Sequence, residues 1–273
     1  KLLGLILQFG GQTPLNLAKH LVKEKIEILG TSLNSIDIAE DRKKFKKIIK
    51  DLKIKQPVNL TANNINEAKK CLKKIGLPLI IRPSYVLGGE AMEIINEKKE
   101  FFKYIERALK TTKKSPLLID SYLKSAIEID VDAISDGKKV YIAGIMEHIE
   151  EAGIHSGDSA CVIPPYTLNK NIIQQIEKQT TKLAIALKVK GLINIQFAIQ
   201  NNDIYIIEAN PRASRTVPFV AKATGIPIAK IAALIMLGKK INDFKLQKNQ
   251  FKHIAVKESV FPFSKFDGSD IIL

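Results

Sequence analysis

Tryptophan is absent from these 273 residues, and cysteine occurs only twice, at Cys71 and Cys161. Two widely separated cysteines exclude a disulfide-dense secreted scaffold and fit a reducing compartment. No apolar run approaches the roughly 18 residues that a membrane span requires. Arginine is scarce as well: of 43 basic residues only Arg42, Arg82, Arg107, Arg212 and Arg215 are arginine. The formal net charge of +15 therefore comes from lysines, many in scattered pairs such as Lys43-Lys44, Lys69-Lys70 and Lys113-Lys114. Base readout favours Arg, and single-strand binding needs aromatic platforms. With aromatics at 6% and no aromatic–basic alternation, the charge reads as solvated surface and no nucleic-acid partner is expected.

What is there is ordinary for a globular protein: 45% hydrophobic and 26% charged residues, in a chain long enough for one large domain or two smaller ones. The chain starts at Lys1 and enters an apolar run at once, with no charged leader and cleavage site. The expectation is a segment of a longer polypeptide, cytoplasmic, with an organelle matrix equally compatible.

The patterning divides the chain into residues 1–40, 41–240 and 241–273. In the first, Leu2 to Phe9 reads as a buried strand, Gly10-Gly11 as a turn, Thr13 as the cap of a helix from Pro14, and Glu24 to Gly30 as a second strand. This βαβ fragment is too short to close a sheet. From Asp41 a Lys-rich helix, a strand about Val58 and a helix from Asn66 to Ile75 follow, the last stopped by Gly76 and Pro78. Strands are expected at Leu79 to Arg82, Ala91 to Ile95, Leu117 to Asp120, Ala126 to Ser135 and Lys139 to Met146, with a helix from Lys98 to Leu109. Asn169 to Leu187 is the longest helix. Leu192 to Ile199 and Ile204 to Glu208 form a hairpin about Asn201 to Asp203, two apolar helices follow, and Ile254 to Phe261 is strand-like. Strand pairs mixed with helices indicate an α+β fold dominated by antiparallel sheet.

Three places carry chemistry. A strand delivers Arg82 into a loop bearing Gly88-Gly89, where backbone amides can approach an anion closely; a plain hairpin turn accounts for the same residues. On the second hairpin, Glu208 and Asn210 share a face because the side-chain period is two. A three-residue loop at 201–203 puts Gln196 opposite Glu208, so three oxygen-bearing side chains converge as hard-cation ligands, with a half-exposed polar strand face as the bland alternative. Arg212 and Arg215 follow at once, and guanidinium forks suit carboxylate or phosphate oxygens. Between Met146 and Cys161 lie Glu147, His148, Glu150, Glu151, His155 and Asp158. The spacing of His148 and His155 and the lone Cys161 fit no zinc motif. The segment reads as a functional loop with Gly153, His155 and Ser156 as polar contacts, or else as a solvated acidic loop.

The segments QFGGQTPLNLA, GTS, AEDRKKF, RPSYVLGGEAMEI, EIDVDAI, GIMEHIEEAGIHSGDSA, NIQFAI and IEANPRASRTVPFVAKATG resemble the carbamoyl phosphate synthetase large-chain family, in its C-terminal synthetase half. The resemblance implies an ATP-grasp fold, two α+β lobes holding ATP between antiparallel sheets. A partial Rossmann-like pre-ATP-grasp segment would occupy residues 1–40. It implies ATP and two Mg²⁺ or Mn²⁺ ions as cofactors. Arg82 would meet the ATP phosphates beneath Gly88-Gly89, and main-chain groups of Ser121 and Leu123 the adenine edge. Glu128 would hold the ribose, and Gly153, Ile154, His155 and Ser156 another part of the nucleotide pocket. Gln196, Glu208 and Asn210 would bind the metal ions, with Arg212 and Arg215 facing carbamate. The implied reaction is carbamate phosphorylation within glutamine-hydrolysing synthesis from bicarbonate, ammonia and ATP. The implied partners are an N-terminal synthetase half and a small amidotransferase (glutaminase) chain. A biotin carboxylase-like ATP-grasp ligase and a catalytically silent nucleotide-binding module are the rival readings.

Overall fold

The computed structural model describes residues 2–83, 92–111, 116–150, 159–247 and 251–260. Gly88, Gly89, Gly153, Ile154, His155 and Ser156 lie outside the described residues.

The N-terminal segment runs β1 (Leu5–Ile6), α1 (Gln12–Lys23), β2 (Ile28–Leu29) and α2 (Leu33–Glu40). β1 and β2 pair in parallel, as a βαβ unit requires. Two expectations fail here. The first strand is two residues long, and Gly11, not Thr13, stands at the helix start, with no side-chain cap bond. Nor did the sequence reading anticipate α2, whose cap Ser32 accepts from the Ser35 N–H.

α3 (Arg42–Asp51) follows at once, with the Asp41 carboxylate accepting from the Lys43 and Lys44 N–H groups. Next come β3 (Asn59–Ala62), α4 (Ile65–Ile75), β4 (Leu79–Pro83), β5 (Glu93–Ile95), α5 (Lys98–Thr111) and β6 (Leu117–Ser121). These strands form a four-stranded sheet in the order β3-β6-β4-β5, every pairing antiparallel. Leu79, Ile81, Leu117 and Ile119 of this sheet pack on Ala68 and Cys71 of α4 and on Phe101 and Ile105 of α5.

The larger lobe contains β7 (Ile127–Asp136), β8 (Val140–His148), β9 (Cys161–Ile163), α6 (Lys170–Ala186), β10 (Lys190–Gln200), β11 (Asp203–Asn210), α7 (Val217–Thr224), α8 (Ile228–Met236) and β12 (Ala255–Lys257). Its sheet has the order β11-β10-β7-β8-β9-β12, again with antiparallel neighbours. The final strand is shorter than expected: among the described residues it stops at Lys257. Glu147 and His148, expected in a loop, are instead buried at the end of β8, because that strand continues two residues past Met146.

The pleat assigns each residue of β7 and β10 to a face. Ile129, Val131 and Ala133 with Ile193, Ile195 and Phe197 face α6 and α3 in one continuous core. On the other face, Ile134 and Leu192 pack beneath α7 and α8. Further along that second face the residues turn polar, and there the candidate site is built.

Candidate functional site

The β10–β11 hairpin turns on only two residues, Asn201 and Asn202, both with positive φ (52° and 66°). Such a turn gives Phe197↔Ile206, Ala198↔Tyr205 and Ile199↔Ile204, a register in which Gln196 would meet Ile207 and Glu208 would point into the core. A β-bulge between Gln196 and Phe197 prevents this: Ile207 is the extra residue, and the ladder resumes as Gln196↔Glu208, Ile195↔Ala209 and Asn194↔Asn210. Gln196 therefore lies opposite Glu208 as expected, but the expected three-residue loop is wrong; the bulge supplies the missing residue. Ile204, Ile206 and Ala209 stay in the core while Glu208 and Asn210 face outward. Asn210 Nδ2 donates to Glu208 Oε1 at 2.7 Å, so these two side chains meet.

Beneath the trio lies a buried polar network that the sequence reading missed. Gln196 pairs across β7 with Asp130, and Asn194 with Asp132. Asn194 Nδ2 donates to Asp130 Oδ1 (3.1 Å) and to Asp132 Oδ1 (2.9 Å). Asp132 also accepts from Ser214 Oγ (2.8 Å) and Thr216 Oγ1 (2.7 Å). Burial pushes the Asp132 carboxyl up to about 6, against the hydrogen bonds from Thr216, Asn194 and Ser214. His148 Nε2 lies 2.8 Å from Asp130 Oδ2, and its Nδ1 lies 3.0 Å from Ser159 Oγ and 3.7 Å from Glu128 Oε2. Burial opposes the imidazolium, but the hydrogen bond to Asp130, the contact with Cys161 and the Asp130 charge raise His148 to about 10. Glu128, Asp130 and Asp132 alternate along β7, so EIDVDAI carried a period-two signal for this face.

Arg212 follows Asn210 by two residues. Its N–H donates to Asn210 O (2.7 Å), its Nη1 to Ala213 O (3.2 Å), and its Nε is buried without a hydrogen-bond partner among the described residues. Arg215 is exposed. Arg82 sits on the smaller sheet, where its Nη2 donates to Asp120 Oδ2 at 3.2 Å; here too Nε is buried without a described partner. Burial raises the Asp120 carboxyl, opposed by the charges of Arg82 and Arg42. Arg42, next to the α3 cap, thus joins the Arg82–Asp120 group and was not singled out from sequence. Ser121 ends β6, with its N–H donating to Val58 O (2.9 Å) and its hydroxyl accepting from Val58 N–H (3.0 Å). The Ser121 main-chain N–H is thus engaged within the chain, while its hydroxyl keeps an O–H to donate. Leu123 follows in the linker to β7, its carbonyl accepting from Ala126 N–H at 3.2 Å.

The constellation thus comes in two parts. Gln196, Glu208, Asn210, Glu128 and the Arg212 segment share one lobe; Arg82, Arg42, Ser121 and Leu123 belong to the smaller lobe and its linker. Among the described residues no group of three or more His, Cys, Asp or Glu could hold a metal ion. A cation at the trio would rest on one carboxylate and two side-chain amides, a sparse oxygen set that suits Mg²⁺ completed by phosphate and water. A cavity of about 420 Å³ lies elsewhere, beside the Asn201-Asn202 turn and Asn169, on the face of Ile127 and Ile199. It is not part of this site.

A profile described as "Carbamoyl-phosphate synthase L chain, ATP binding domain" matches residues 41–244, and one described as "Carbamoyl phosphate synthase preATP-grasp domain" matches residues 1–38. The chain belongs to the carbamoyl phosphate synthase large-chain family. It is 56% identical over 271 residues to the carbamoyl phosphate synthase large chain of Archaeoglobus fulgidus, covering 99% of this chain and 25% of that protein. To the protein of Aquifex aeolicus named "Carbamoyl phosphate synthase large chain, C-terminal section" it is 51% identical over 287 residues, covering 99% of this chain and 53% of that one. The chain therefore spans about a quarter to a half of the length of these relatives. Among solved structures, biotin carboxylase of Campylobacter jejuni aligns with a TM-score of 0.74 at 18% identity, covering 89% of this chain and 55% of that one. N5-carboxyaminoimidazole synthase of Aspergillus clavatus aligns at 0.72 and 16%, covering 89% and 61%. The fold is an ATP-grasp α+β fold, as the resemblance implied. Residues 41–244 thus correspond to the part of that family whose profile is described as an ATP binding domain. No described helix alone is long and apolar enough to cross a membrane.

Proposed function

We propose that this chain phosphorylates carbamate with MgATP, giving carbamoyl phosphate and ADP. The step would serve carbamoyl phosphate synthesis from bicarbonate, ATP and ammonia that a small amidotransferase chain releases from glutamine. The observation that carries the reading is the bulge at Ile207, which turns Glu208 outward opposite Gln196 and Asn210 outward opposite Asn194, two residues ahead of Arg212. Residues 1–40 would be the end of the pre-ATP-grasp domain, 41–240 the catalytic ATP-grasp domain, and 241–273 a lead into a downstream part. The natural setting would be the cytoplasm, beside an N-terminal synthetase half.

Gln196, Glu208 and Asn210 would hold the Mg²⁺ or Mn²⁺ ions, two on this reading, that accompany ATP. The bound metal–nucleotide would supply the phosphoryl group and neutralise charge on its triphosphate. The chain's residues would do the positioning, which dominates catalysis of phosphoryl transfer. Arg82, set firmly against Asp120, would present its guanidinium to the phosphates, with Gly88-Gly89 above them. Glu128 would accept from ribose hydroxyls. Leu123, the 153–156 segment and Ser121, through an atom Val58 does not engage, would complete the nucleotide pocket. Arg212 and Arg215 would hold the carbamate carboxylate while one of its oxygens bonds to the γ-phosphorus and the bond to the β,γ-bridging oxygen breaks, releasing ADP.

The reverse half-reaction tests the reading. Incubated with carbamoyl phosphate and MgADP, the complete protein is expected to make ATP, and Arg212→Ala is expected to lose that activity. A biotin carboxylase-like ligase would instead turn over ATP and bicarbonate in a biotin-dependent way without making carbamoyl phosphate, and a silent nucleotide-binding module would bind ADP without turnover. Either result ends the proposal.

A further inference from the structure

We infer that Gln8 is a positioning residue for the arginine-bearing loop at 211–215, making the N-terminal segment a working part of the transfer site. This rests on the function proposed above for Arg212 and Arg215.

Gln8 lies just past β1 and is 1% exposed. Its main-chain oxygen accepts from Ala213 N–H at 2.8 Å, and its Nε2 donates to Pro211 O. Both neighbours of Arg212 thus hang on one residue some 203 positions away in sequence. Nε2 also faces Leu192 O (3.3 Å) and Thr31 Oγ1 (3.0 Å). Two of these three acceptors are carbonyls, which cannot donate, so the NH₂ end of the amide must face them. The loop is pinned from its other side by Asp132, through Ser214 and Thr216. Arg212 is therefore presented on a short turn clamped from two directions, one clamp from the catalytic sheet and one from residues 1–40.

The surroundings keep room for this amide. Gly30 and Gly191 both have positive φ (106° and 108°), and a Cβ at either would lie within 2.8 Å and 2.7 Å of Gln8 Oε1. Oε1 is itself buried without a hydrogen-bond partner among the described residues. An unpartnered buried acceptor costs free energy that a thioether of similar length would not incur. What Gln8 offers over such a side chain is its hold on the arginine loop. Thr31 gives the contrast: its hydroxyl donates to Lys190 O (3.1 Å) and accepts from Lys190 N–H (3.0 Å), joining the same segment to β10 without touching residues 211–215.

The test compares Gln8→Met, Gln8→Glu and Thr31→Val in the complete protein, reading ATP formation from carbamoyl phosphate and MgADP alongside the thermal midpoint. Both Gln8 variants should raise the KM for carbamoyl phosphate about tenfold and lower kcat, while the KM for MgADP stays within about twofold. Thr31→Val removes one of the three acceptors around Gln8 Nε2 but leaves both carbonyls for its two hydrogens, so it should lower the thermal midpoint and leave both KM values in place. Gln8→Glu is the harsher variant, since it sets an acceptor against Pro211 O and Leu192 O; should either variant be unfolded at the assay temperature, both KM values are read at a lower temperature where its thermal midpoint shows it folded. Gln8 variants that change stability alone, or both KM values equally, overturn the inference. A wild-type protein that makes no ATP sinks the proposed function itself; an active wild type with unselective Gln8 variants sinks only the role of Gln8.

Discussion

The two faces of β7 and β10 come from the same strands and the same pleat, yet they are held by different forces. On one, Ile129, Val131, Ile193, Ile195 and Phe197 are all fully buried against α6 and α3, and what stabilises them is removal of apolar area from water. On the other, Asp130, Asp132 and Asn194 are buried too, but each hydrogen-bonds a named partner. Burial is non-directional, and it keeps the strands together. Hydrogen bonds in a low-dielectric interior are directional and costly to leave unmade, so they fix where each polar group points. A sheet with one face of each kind can be stable and still hold functional side chains in place.

The sharpest way to break this division is at Glu208 and Phe197, which lie on opposite faces. Glu208→Gln keeps the shape of an exposed side chain but removes the one carboxylate of the trio. MgATP-dependent turnover should fall about 10²–10³-fold with the thermal midpoint unchanged. Phe197→Ala empties a fully buried position and should cost about 3–5 kcal/mol in denaturant unfolding. If Glu208→Gln unfolds the protein, or Phe197→Ala leaves stability intact, the two faces are not specialised as described.

How much of this could be read beforehand follows the same division. Apolar alternation in NIQFAI and EIDVDAI announced the core face, because burial follows a simple period. Gln196, Glu208 and Asn210 were legible as a trio, but the reason given was wrong: the turn has two residues and a bulge restores the pairing. Bulges leave no periodic signal beyond one misplaced apolar residue, here Ile207 between Ile206 and Glu208. His148 reads from sequence as part of a functional loop because its partners, Asp130 and Ser159, are 18 and 11 residues away. Gln8 and Arg42 were invisible for the same reason, since their neighbours belong to distant segments. Helix α2 escaped because its amphipathic pattern is short.

A milder probe of the polar face is pH. His148 carries its proton up to about 10, well above the ordinary 6.5 of histidine, so the folded state holds a proton that the unfolded chain releases between those values. The stabilisation from its contact with Asp130 is complete below about pH 6.5, declines as pH rises, and is gone above about 10. Urea midpoints measured from pH 6 to 11 should fall steadily across that window, and His148→Gln should flatten the slope. A wild-type profile without that fall would mean that the imidazole is neutral in the folded protein and meets Asp130 through an uncharged Nε2–H.

The smallest effect belongs to the hairpin turn. Asn201 and Asn202 both occupy the left-handed region, which alanine tolerates poorly. Asn201→Ala and Asn202→Ala should each cost roughly 1 kcal/mol of stability. Neither should change turnover, because between the turn and Glu208 stand two core-anchored pairs, Ile199↔Ile204 and Phe197↔Ile206, ahead of the bulge. If either substitution instead lowers activity while stability holds, the register at Gln196↔Glu208 is being set by the turn. The bulge would then be a consequence of the hairpin and not the element that turns Glu208 outward.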